Sequence, residues 1–186
     1  MTSQERRSQF AALYEANRAD LFAYIVRSVR EENTALDILQ DCFFNFVRMF
    51  QERPLPPDDR QCRMYIFKIA RNLIINHSRT SYVSKVDLVE QYSSVEGSRM
   101  DQREPTPEEA VVESMEQEEQ ERLLQTLLAD LPDEQRQAVL LRYTGQMKLE
   151  QIAEVLGVSI STASRLLKRA ERAMEHASRQ LREESR

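Results

Sequence analysis

The sequence predicts an all-α protein: two small helical domains joined by a flexible acidic linker, with a helix-turn-helix in the C-terminal domain. Apolar residues recur at steps of three and four positions in both halves, which is typical of helices with one buried face. The chain has only 3 glycines and no long stretch in which apolar and polar residues alternate, which argues against a sheet. Its 186 residues can form one mid-sized domain or two small ones.

The first two helices are predicted from their apolar spacing. The buried face of the first comprises Phe10, Leu13, Tyr14, Leu21, Phe22, Ile25 and Val29. Within this stretch, Asp20 indicates a break or an exposed turn. Thr34 is predicted to cap the second helix, because its hydroxyl can accept a hydrogen bond from the first turn. The buried stripe of the second helix comprises Leu36, Leu39, Phe43, Phe46 and Phe50.

The opposite side of the second helix is predicted to bind another protein. Surface carboxylates at helical spacing usually only interact with water. Here an aromatic ring stands among them, and an exposed aromatic amid charges is typical of a protein-binding face. The residues of this face are Asp37, Gln40, Asp41, Phe44 and Arg48.

A third helix is predicted over residues 61–79, after the loop RPLPPDDRQ, whose prolines cannot continue a helix. Tyr65, Ile66, Ile69 and Leu73 are expected to face the core. The rest of its surface carries side-chain amides and a single sign of charge, and without acidic partners it is expected to meet an anion such as the phosphate backbone of nucleic acid. The residues of this surface are Arg63, Lys68, Arg71, Asn72, Asn76, His77 and Arg79.

The net charge of −5 belongs to the middle of the chain. Residues 1–81 carry 12 Lys/Arg and 10 Asp/Glu, residues 82–121 carry 3 and 12, and residues 122–186 carry 11 and 9. The segment 82–107 lacks apolar periodicity, so we expect it to be a flexible linker between domains 1–81 and 108–186. Two interpretations stay open: a simple tether, or an acidic segment that mimics nucleic acid inside a basic channel of a partner.

The segment LEQIAEVLGVSISTASRLLKRAER predicts a helix-turn-helix. Gly157 stands where the first helix must end in a left-handed residue, and Ser159 can cap the second helix with its hydroxyl. The apolar contacts come from Ile152, Ala153, Leu156, Val158, Ala163, Leu166, Leu167 and Ala170. The outer face of the second helix carries donors suited to phosphates and base edges: Ser161, Thr162, Ser164, Arg165, Lys168 and Arg169. An ordinary helical hairpin with solvated charges is the alternative, but turn, cap and donors together favour DNA.

Enzymatic chemistry has almost no support in the sequence. Cys42 and Cys62 lack metal-ligand spacing, and Cys42 is expected to be a small core residue. No nucleophile elbow, phosphate loop or metal cluster occurs, so no cofactor is expected. No apolar stretch approaches the ~20 residues that span a bilayer, and the first residues do not form a signal peptide, so we expect a cytoplasmic protein.

Four segments in this order resemble the extracytoplasmic-function (ECF) group of bacterial sigma factors. They are DILQDCFFNFVRMF, YIFKIARNLIINHSR, LLADLPDEQRQAVLLRY and the helix-turn-helix segment. The resemblance covers both domains and omits only the linker. It implies a subunit that directs core RNA polymerase to chosen promoters, without catalysis, cofactor or small-molecule substrate, and under the control of an anti-sigma factor.

The resemblance also implies roles for individual residues. The second helix, through Asp37, Gln40, Asp41 and Phe44, is expected to dock on the polymerase clamp coiled coil. The third helix, with the loop at about 53–63, is expected to open the promoter and to hold an unpaired base near Asn72 and Asn76. The helix-turn-helix is expected to contact the upstream promoter element in the major groove through Thr162, Ser164, Arg165, Lys168 and Arg169.

The chain departs from the family pattern at two of these places. Tyr65 stands where many members have tryptophan, and Ser164 stands where many have arginine. The linker corresponds to the family's variable connector, which passes near the polymerase active centre and the RNA exit path.

Two other functions remain as alternatives. A stand-alone helix-turn-helix regulator would need a dimer face and a palindromic site. A sigma mimic would only titrate an anti-sigma factor and would fail to program polymerase. The basic faces in both domains favour a functional sigma factor over the mimic.

Overall fold

The computed structural model describes residues 3–85 and 107–184, and within these ranges it contains helices and turns but no strand. The helices are α1 (Ser3–Val29), α2 (Glu32–Phe50), α3 (Asp59–Lys85), α4 (Pro107–Ala129), α5 (Asp133–Tyr143), α6 (Leu149–Leu156) and α7 (Ile160–Glu184). The predicted all-α class is confirmed.

Helices α1, α2 and α3 pack together as an N-terminal bundle around an aromatic core. The ring centroids of Tyr24 and Phe67 are 5.2 Å apart, and those of Phe46 and Phe50 are 5.0 Å apart. Such contacts bury large apolar surfaces and stabilise the bundle. Cys42 is fully buried beside them, and this burial raises the pKa of its thiol to about 12, so Cys42 is the neutral core residue that the sequence predicted.

Two predictions about the first two helices are wrong. Helix α1 runs without interruption through Asp20, whose carboxylate accepts a hydrogen bond from Arg63 of α3 at 2.7 Å. Helix α2 is capped by Glu31 rather than Thr34. The Glu31 carboxylate accepts hydrogen bonds from the first turn, including the Thr34 N–H at 2.6 Å, and these bonds hold its pKa below the usual range.

Helix α3 is longer than predicted at both ends. The Asp58 carboxylate accepts a hydrogen bond from the Gln61 N–H at 2.9 Å, so the helix begins at Asp59, within the last residues of the segment predicted as the proline-rich loop. It continues beyond Arg79 to Lys85, because residues 80–85 contain neither glycine nor proline.

The proline-rich loop is fixed to the bundle by one arginine. The guanidinium of Arg6 in α1 donates to the carbonyl oxygen of Phe50 at 2.8 Å and to that of Arg53. These bonds connect the start of α1 to the end of α2, and they set the path by which the chain enters α3.

The predicted linker, residues 82–107, lies almost wholly outside the described ranges, since residues 86–106 are not among them. Its flexibility, and the division of the chain at residues 81 and 108, stay predictions.

Helices α4 to α7 form the C-terminal bundle, in which α7 packs on α4, α5 and α6. The buried residues Leu141, Ile152, Ala163 and Ala170 come from three of these helices. The chain leaves α5 through Gly145, where a Cβ atom would lie only 2.6 Å from the carbonyl oxygen of Leu141. Glycine is therefore required for this tight turn, which sets the direction of α6.

The two bundles contact each other directly. Helix α6 packs on α3, and α5 packs on α1. Tyr24 of α1 is fully buried, and its hydroxyl donates to the side-chain carbonyl of Gln137 in α5, whose amide donates to the Ser28 hydroxyl at 3.2 Å. The helix-turn-helix therefore lies against α3, the third helix of the N-terminal bundle.

Candidate nucleic-acid and protein interfaces

The turn of the helix-turn-helix has the predicted geometry. Gly157 ends α6 in the left-handed conformation, with φ 70° and ψ 34°. The next N–H, that of Val158, donates to the Ala153 carbonyl oxygen at 3.0 Å and satisfies one of the last carbonyls of α6. Residues with a Cβ atom rarely adopt this conformation, so glycine sets the angle between α6 and α7.

Ser159 caps α7 as predicted. Its Oγ accepts a hydrogen bond from the Thr162 N–H at 3.2 Å, and its hydroxyl donates to Thr162 Oγ1 at 2.9 Å. Ser161 Oγ lies 3.1 Å from Ser159 Oγ. This hydroxyl cluster fixes the first turn of α7, and in DNA-binding helix-turn-helix proteins the corresponding turn contacts base edges.

The predicted donors share the outward face of α7. Ser161, Arg165, Lys168 and Arg169 are exposed, whereas Thr162 and Ser164 are half-buried. The Arg165 guanidinium donates to Thr162 Oγ1 at 3.1 Å, which holds this arginine close to the start of the helix. Within the described residues no ion pair involves Lys168 or Arg169, so both charges are available to phosphates.

The basic surface of α3 is divided between two environments. Asn72, Asn76, His77 and Arg79 are exposed, and Arg71 is half-buried. Arg63 and Lys68 instead form contacts within the molecule and across the two bundles. Arg63 pairs with Asp20 at 2.7 Å, and Lys68 pairs with Glu154 of α6 at 2.6 Å. The expectation that this face lacks acidic partners is therefore wrong at these two positions, because α1 and α6 supply the carboxylates.

A groove of about 680 Å³ lies beside the exposed part of α3. Arg53 at the start of the proline-rich loop and Asn72 of α3 both line it, and α2 contributes Asn45, Arg48 and Met49. Its lining comprises cationic groups, amides, the Glu52 carboxylate and apolar side chains, including those of Ile69 and Leu73 of α3. This mixture suits a planar base that is both stacked and hydrogen-bonded.

The predicted protein-binding face of α2 is exposed along its whole length. Asp37, Gln40 and Asp41 are exposed, and the ring of Phe44 is 64% exposed. Leu36, which the sequence placed in the core, is 41% exposed and lies on the same side, as does Val47 at 37%. The steps of four from position 36 through 40 to Phe44 could have indicated this apolar contribution.

The buried stripe of α2 begins at Ala35, one position before the predicted start at Leu36. Its buried residues are Ala35, Ile38, Leu39, Cys42, Phe43, Phe46 and Phe50. Positions 35 and 36 are both apolar, so either could begin a buried stripe. The prediction placed the larger side chain, Leu36, in the core, but the buried residue is Ala35.

The described residues show no group of three or more His, Cys, Asp or Glu side chains arranged to hold a metal ion. Over the same residues, no helix is both long and apolar enough to cross a membrane.

A helix-turn-helix with donors along its second helix, on a scaffold of packed helices, is an arrangement found in many DNA-binding proteins. Residues 121–174 match the family model described as Sigma-70, region 4. This segment contains α5, α6 and the donor face of α7, so the site and the family match coincide. The sequence matches no curated protein.

The described fold is similar to those of two solved structures, one of them a sigma factor. The structure of the sigma factor RpoE in complex with the anti-sigma factor NepR, from Bartonella quintana, aligns with a TM-score of 0.65 and 15% identity, over 93% of this chain and 96% of that one. The structure of CnrH in complex with the cytosolic domain of CnrY aligns with a TM-score of 0.58 and 16% identity, over 92% and 88%. The region 4 match and this fold both agree with the prediction of an ECF sigma factor.

Proposed function

We propose that this chain binds core RNA polymerase and directs it to promoters by contacting an upstream and a downstream DNA element. The observation that carries the proposal is the donor face of α7, which follows a left-handed glycine turn and lies within the region 4 match. A sigma factor positions polymerase and does not itself catalyse a reaction. We therefore propose a non-enzymatic, cytoplasmic transcription factor.

The upstream element is contacted by α7 in the major groove. Thr162, Ser164 and Arg165 lie in its first two turns, where a recognition helix contacts bases. Lys168 and Arg169 follow one turn later and are exposed. A bidentate arginine–guanine contact from Arg165 or Arg169 contributes about 1–3 kcal/mol of discrimination against a wrong base.

The downstream element is held beside α3. Extruding a base from the duplex costs a few kcal/mol, which a pocket and backbone contacts must offset. The groove lined by Arg53 and Asn72 supplies the pocket, and Asn76, His77 and Arg79 extend the polar surface along the same helix. Arg63, Lys68 and Arg71 contribute further phosphate contacts once the two bundles separate.

Core polymerase docks on α2. The apolar centre of this surface is Phe44, and Asp37, Gln40 and Asp41 surround it with acidic and amide groups. An aromatic anchor with a polar rim is the usual composition of a binding hot spot.

The three parts of the chain follow from these roles. Residues 1–81 form the domain that docks on polymerase and melts the promoter, and residues 108–186 form the domain that binds the upstream element. Residues 82–107 connect them along the polymerase surface. Affinity for a promoter then comes from two weak DNA sites held on one polymerase, where effective concentration replaces tight individual binding.

An anti-sigma factor regulates the chain by covering these surfaces. RpoE of Bartonella quintana, which shares the fold, was solved with the anti-sigma factor NepR. The exposed Phe44 and its neighbours provide a surface that such a partner can cover.

Substituting Arg169→Ala tests the upstream contact. We expect transcription from the cognate promoter to fall about tenfold, which corresponds to the loss of one base contact. Binding to core polymerase should not change. The matched control is Arg179→Ala, which removes a 71% exposed arginine from the same helix, where it pairs with Glu175. Equal promoter output from both variants would refute the assignment of α7.

A further inference from the structure

One large apolar side chain of the helix-turn-helix lies in solvent. Ile160, the first residue of α7, is 49% exposed. Every other large apolar side chain within residues 149–184, all of which the structure describes, is buried or half-buried. Single exposed apolar residues are common on protein surfaces, so the position of Ile160, rather than its exposure alone, indicates its role.

Ile160 lies at the edge of the donor face of α7. Steps of four bring Ile160, Ser164 and Lys168 to one side of the helix. The Cα–Cβ bonds of a helix tilt toward its N-terminus, so the Ile160 side chain points toward the end of α7 at which a recognition helix contacts base edges. This residue is therefore placed where α7 would meet DNA, although its side chain cannot form a hydrogen bond.

The first turns of α7 hold Ile160 in a fixed place. Ser159 accepts a hydrogen bond from the Thr162 N–H and donates to Thr162 Oγ1, and the Arg165 guanidinium donates to the same Oγ1. These bonds connect the residue before Ile160 with residues of the first two turns. A branched Cβ also restricts the χ1 angle of isoleucine in a helix to one main rotamer. Little conformational entropy is therefore lost when this side chain is buried against a ligand.

The major groove of DNA offers one apolar group to such a side chain. Each base pair presents hydrogen-bond donors and acceptors along its major-groove edge, and thymine alone of the four bases adds a methyl group at C5. An isoleucine that covers donors or acceptors leaves them without partners, which costs free energy, whereas contact with a methyl group buries apolar surface on both sides. The group that suits Ile160 is therefore a thymine methyl.

We propose that Ile160 is a specificity-determining residue that packs against the C5 methyl of a thymine in the upstream promoter element. Its selectivity adds to that of the arginines: Arg165 or Arg169 binds guanine through hydrogen bonds, whereas Ile160 selects thymine through apolar contact. This inference deepens the proposed function and rests on α7 as the recognition helix.

Deoxyuridine provides the test, because it keeps the hydrogen-bonding edge of thymine and lacks only the C5 methyl. Duplexes that the full chain binds selectively are first selected from a random pool, with core polymerase and without it. Each thymine of the shared sequence, on either strand, is then replaced singly by deoxyuridine. Fluorescence anisotropy of the labelled duplexes gives the affinity for each of them.

Ile160→Ala is the test variant, and Leu123→Ala is its matched control, since Leu123 is a 41% exposed apolar residue of α4, outside the donor face of α7. We expect deoxyuridine at one position to weaken binding of the unchanged chain and of Leu123→Ala about fourfold, the factor that burial of one methyl-sized group contributes. At the same position, Ile160→Ala should bind deoxyuridine and thymine equally, while every other position responds as in the unchanged chain. Thermal unfolding checks that both variants are folded.

Two results would overturn the inference and leave α7 as a recognition helix. The first is that no deoxyuridine weakens binding of the unchanged chain. The second is a deoxyuridine effect that is equally large in Ile160→Ala and in the unchanged chain. Failure of the proposed function is distinct. If sequences are selected only without polymerase, that function is wrong and the thymine comparison still tests Ile160; if none is selected under either condition, both the function and the inference are wrong.

Discussion

Separate substitutions of two adjacent phenylalanines of α2 are predicted to distinguish folding from polymerase binding. Phe43 is 9% exposed, and its ring lies edge-on to Tyr14 with centroids 4.7 Å apart, whereas Phe44 is 64% exposed. We predict that Phe43→Ala lowers the free energy of unfolding by about 3 kcal/mol, because it opens a cavity in the core. Phe44→Ala should change it by less than about 0.5 kcal/mol, since the ring is mostly in water.

The two variants should rank in the opposite order when affinity for core polymerase is measured. If Phe44 is the anchor of the docking surface, its truncation removes about 2 kcal/mol of binding free energy, a loss of about 30-fold in affinity. Phe43 faces the core instead. At a temperature where the Phe43→Ala variant stays folded, it should therefore bind core polymerase as tightly as the unchanged chain.

Urea unfolding gives the stabilities, and titration of labelled chain with core polymerase gives the affinities. The matched pair controls for side-chain size and position, because the two residues have the same side chain and are neighbours in one helix. An affinity for Phe44→Ala within about threefold of the unchanged chain would refute the reasoning, since a hot-spot anchor contributes more than that.

Three further predictions concern stability and pH. Gly157→Ala should cost about 1 kcal/mol and lower Tm by about 2–4 °C, because its left-handed φ is strained for alanine although the added Cβ meets no atom within 4 Å; an unchanged Tm would contradict this. Gly145→Ala should cost more in the same thermal assay, since its Cβ would meet backbone at 2.6 Å. Acidification should separate the two bundles. The hydrogen bonds from Arg27 hold the pKa of Glu121 below its ordinary value. The stabilisation that this ion pair gives to the contact between the bundles is therefore complete above the ordinary carboxyl pKa, at about pH 5 and higher, and is lost as the pH falls through the lowered pKa. X-ray scattering should show a larger radius of gyration at low pH, and constant dimensions down to the acid unfolding of the bundles would count against this prediction.

The helix-turn-helix could be predicted from the sequence because its signals are local. Gly157 and Ser159 determine the turn and the cap through their own backbone and hydroxyl groups, and both have the expected geometry. The apolar spacing of the flanking helices is equally local, which is why the buried positions Ile152 and Ala163 were correct.

The errors arose where a distant or competing residue decided the outcome. Thr34 has the side chain of a good cap, but Glu31 accepts hydrogen bonds from the Asn33 and Thr34 N–H groups and starts the helix earlier. Asp20 suggested a turn, but its carboxylate is instead satisfied by Arg63, 43 residues away. Neither preference can be resolved from local propensity, because the winning interaction depends on the packed structure.

The contact between the bundles is the part that the sequence could not reveal. Arg27 and Glu121 are 94 residues apart, and Lys68 and Glu154 are 86 apart. Single charges on exposed helix faces carry no information about which opposite charge they meet. The basic surface of α3 was therefore predicted to be a site for an anion, whereas its division between the groove and the C-terminal bundle required the three-dimensional arrangement.

Run-off transcription with purified core polymerase, on fragmented genomic DNA and with or without this chain, tests the central claim most directly. We predict discrete transcripts that appear only when the chain is present, with shared sequence elements upstream of their start sites. Polymerase binding without transcripts would contradict the claim and support a sigma mimic. Absence of polymerase binding would also contradict it and would favour a stand-alone helix-turn-helix regulator.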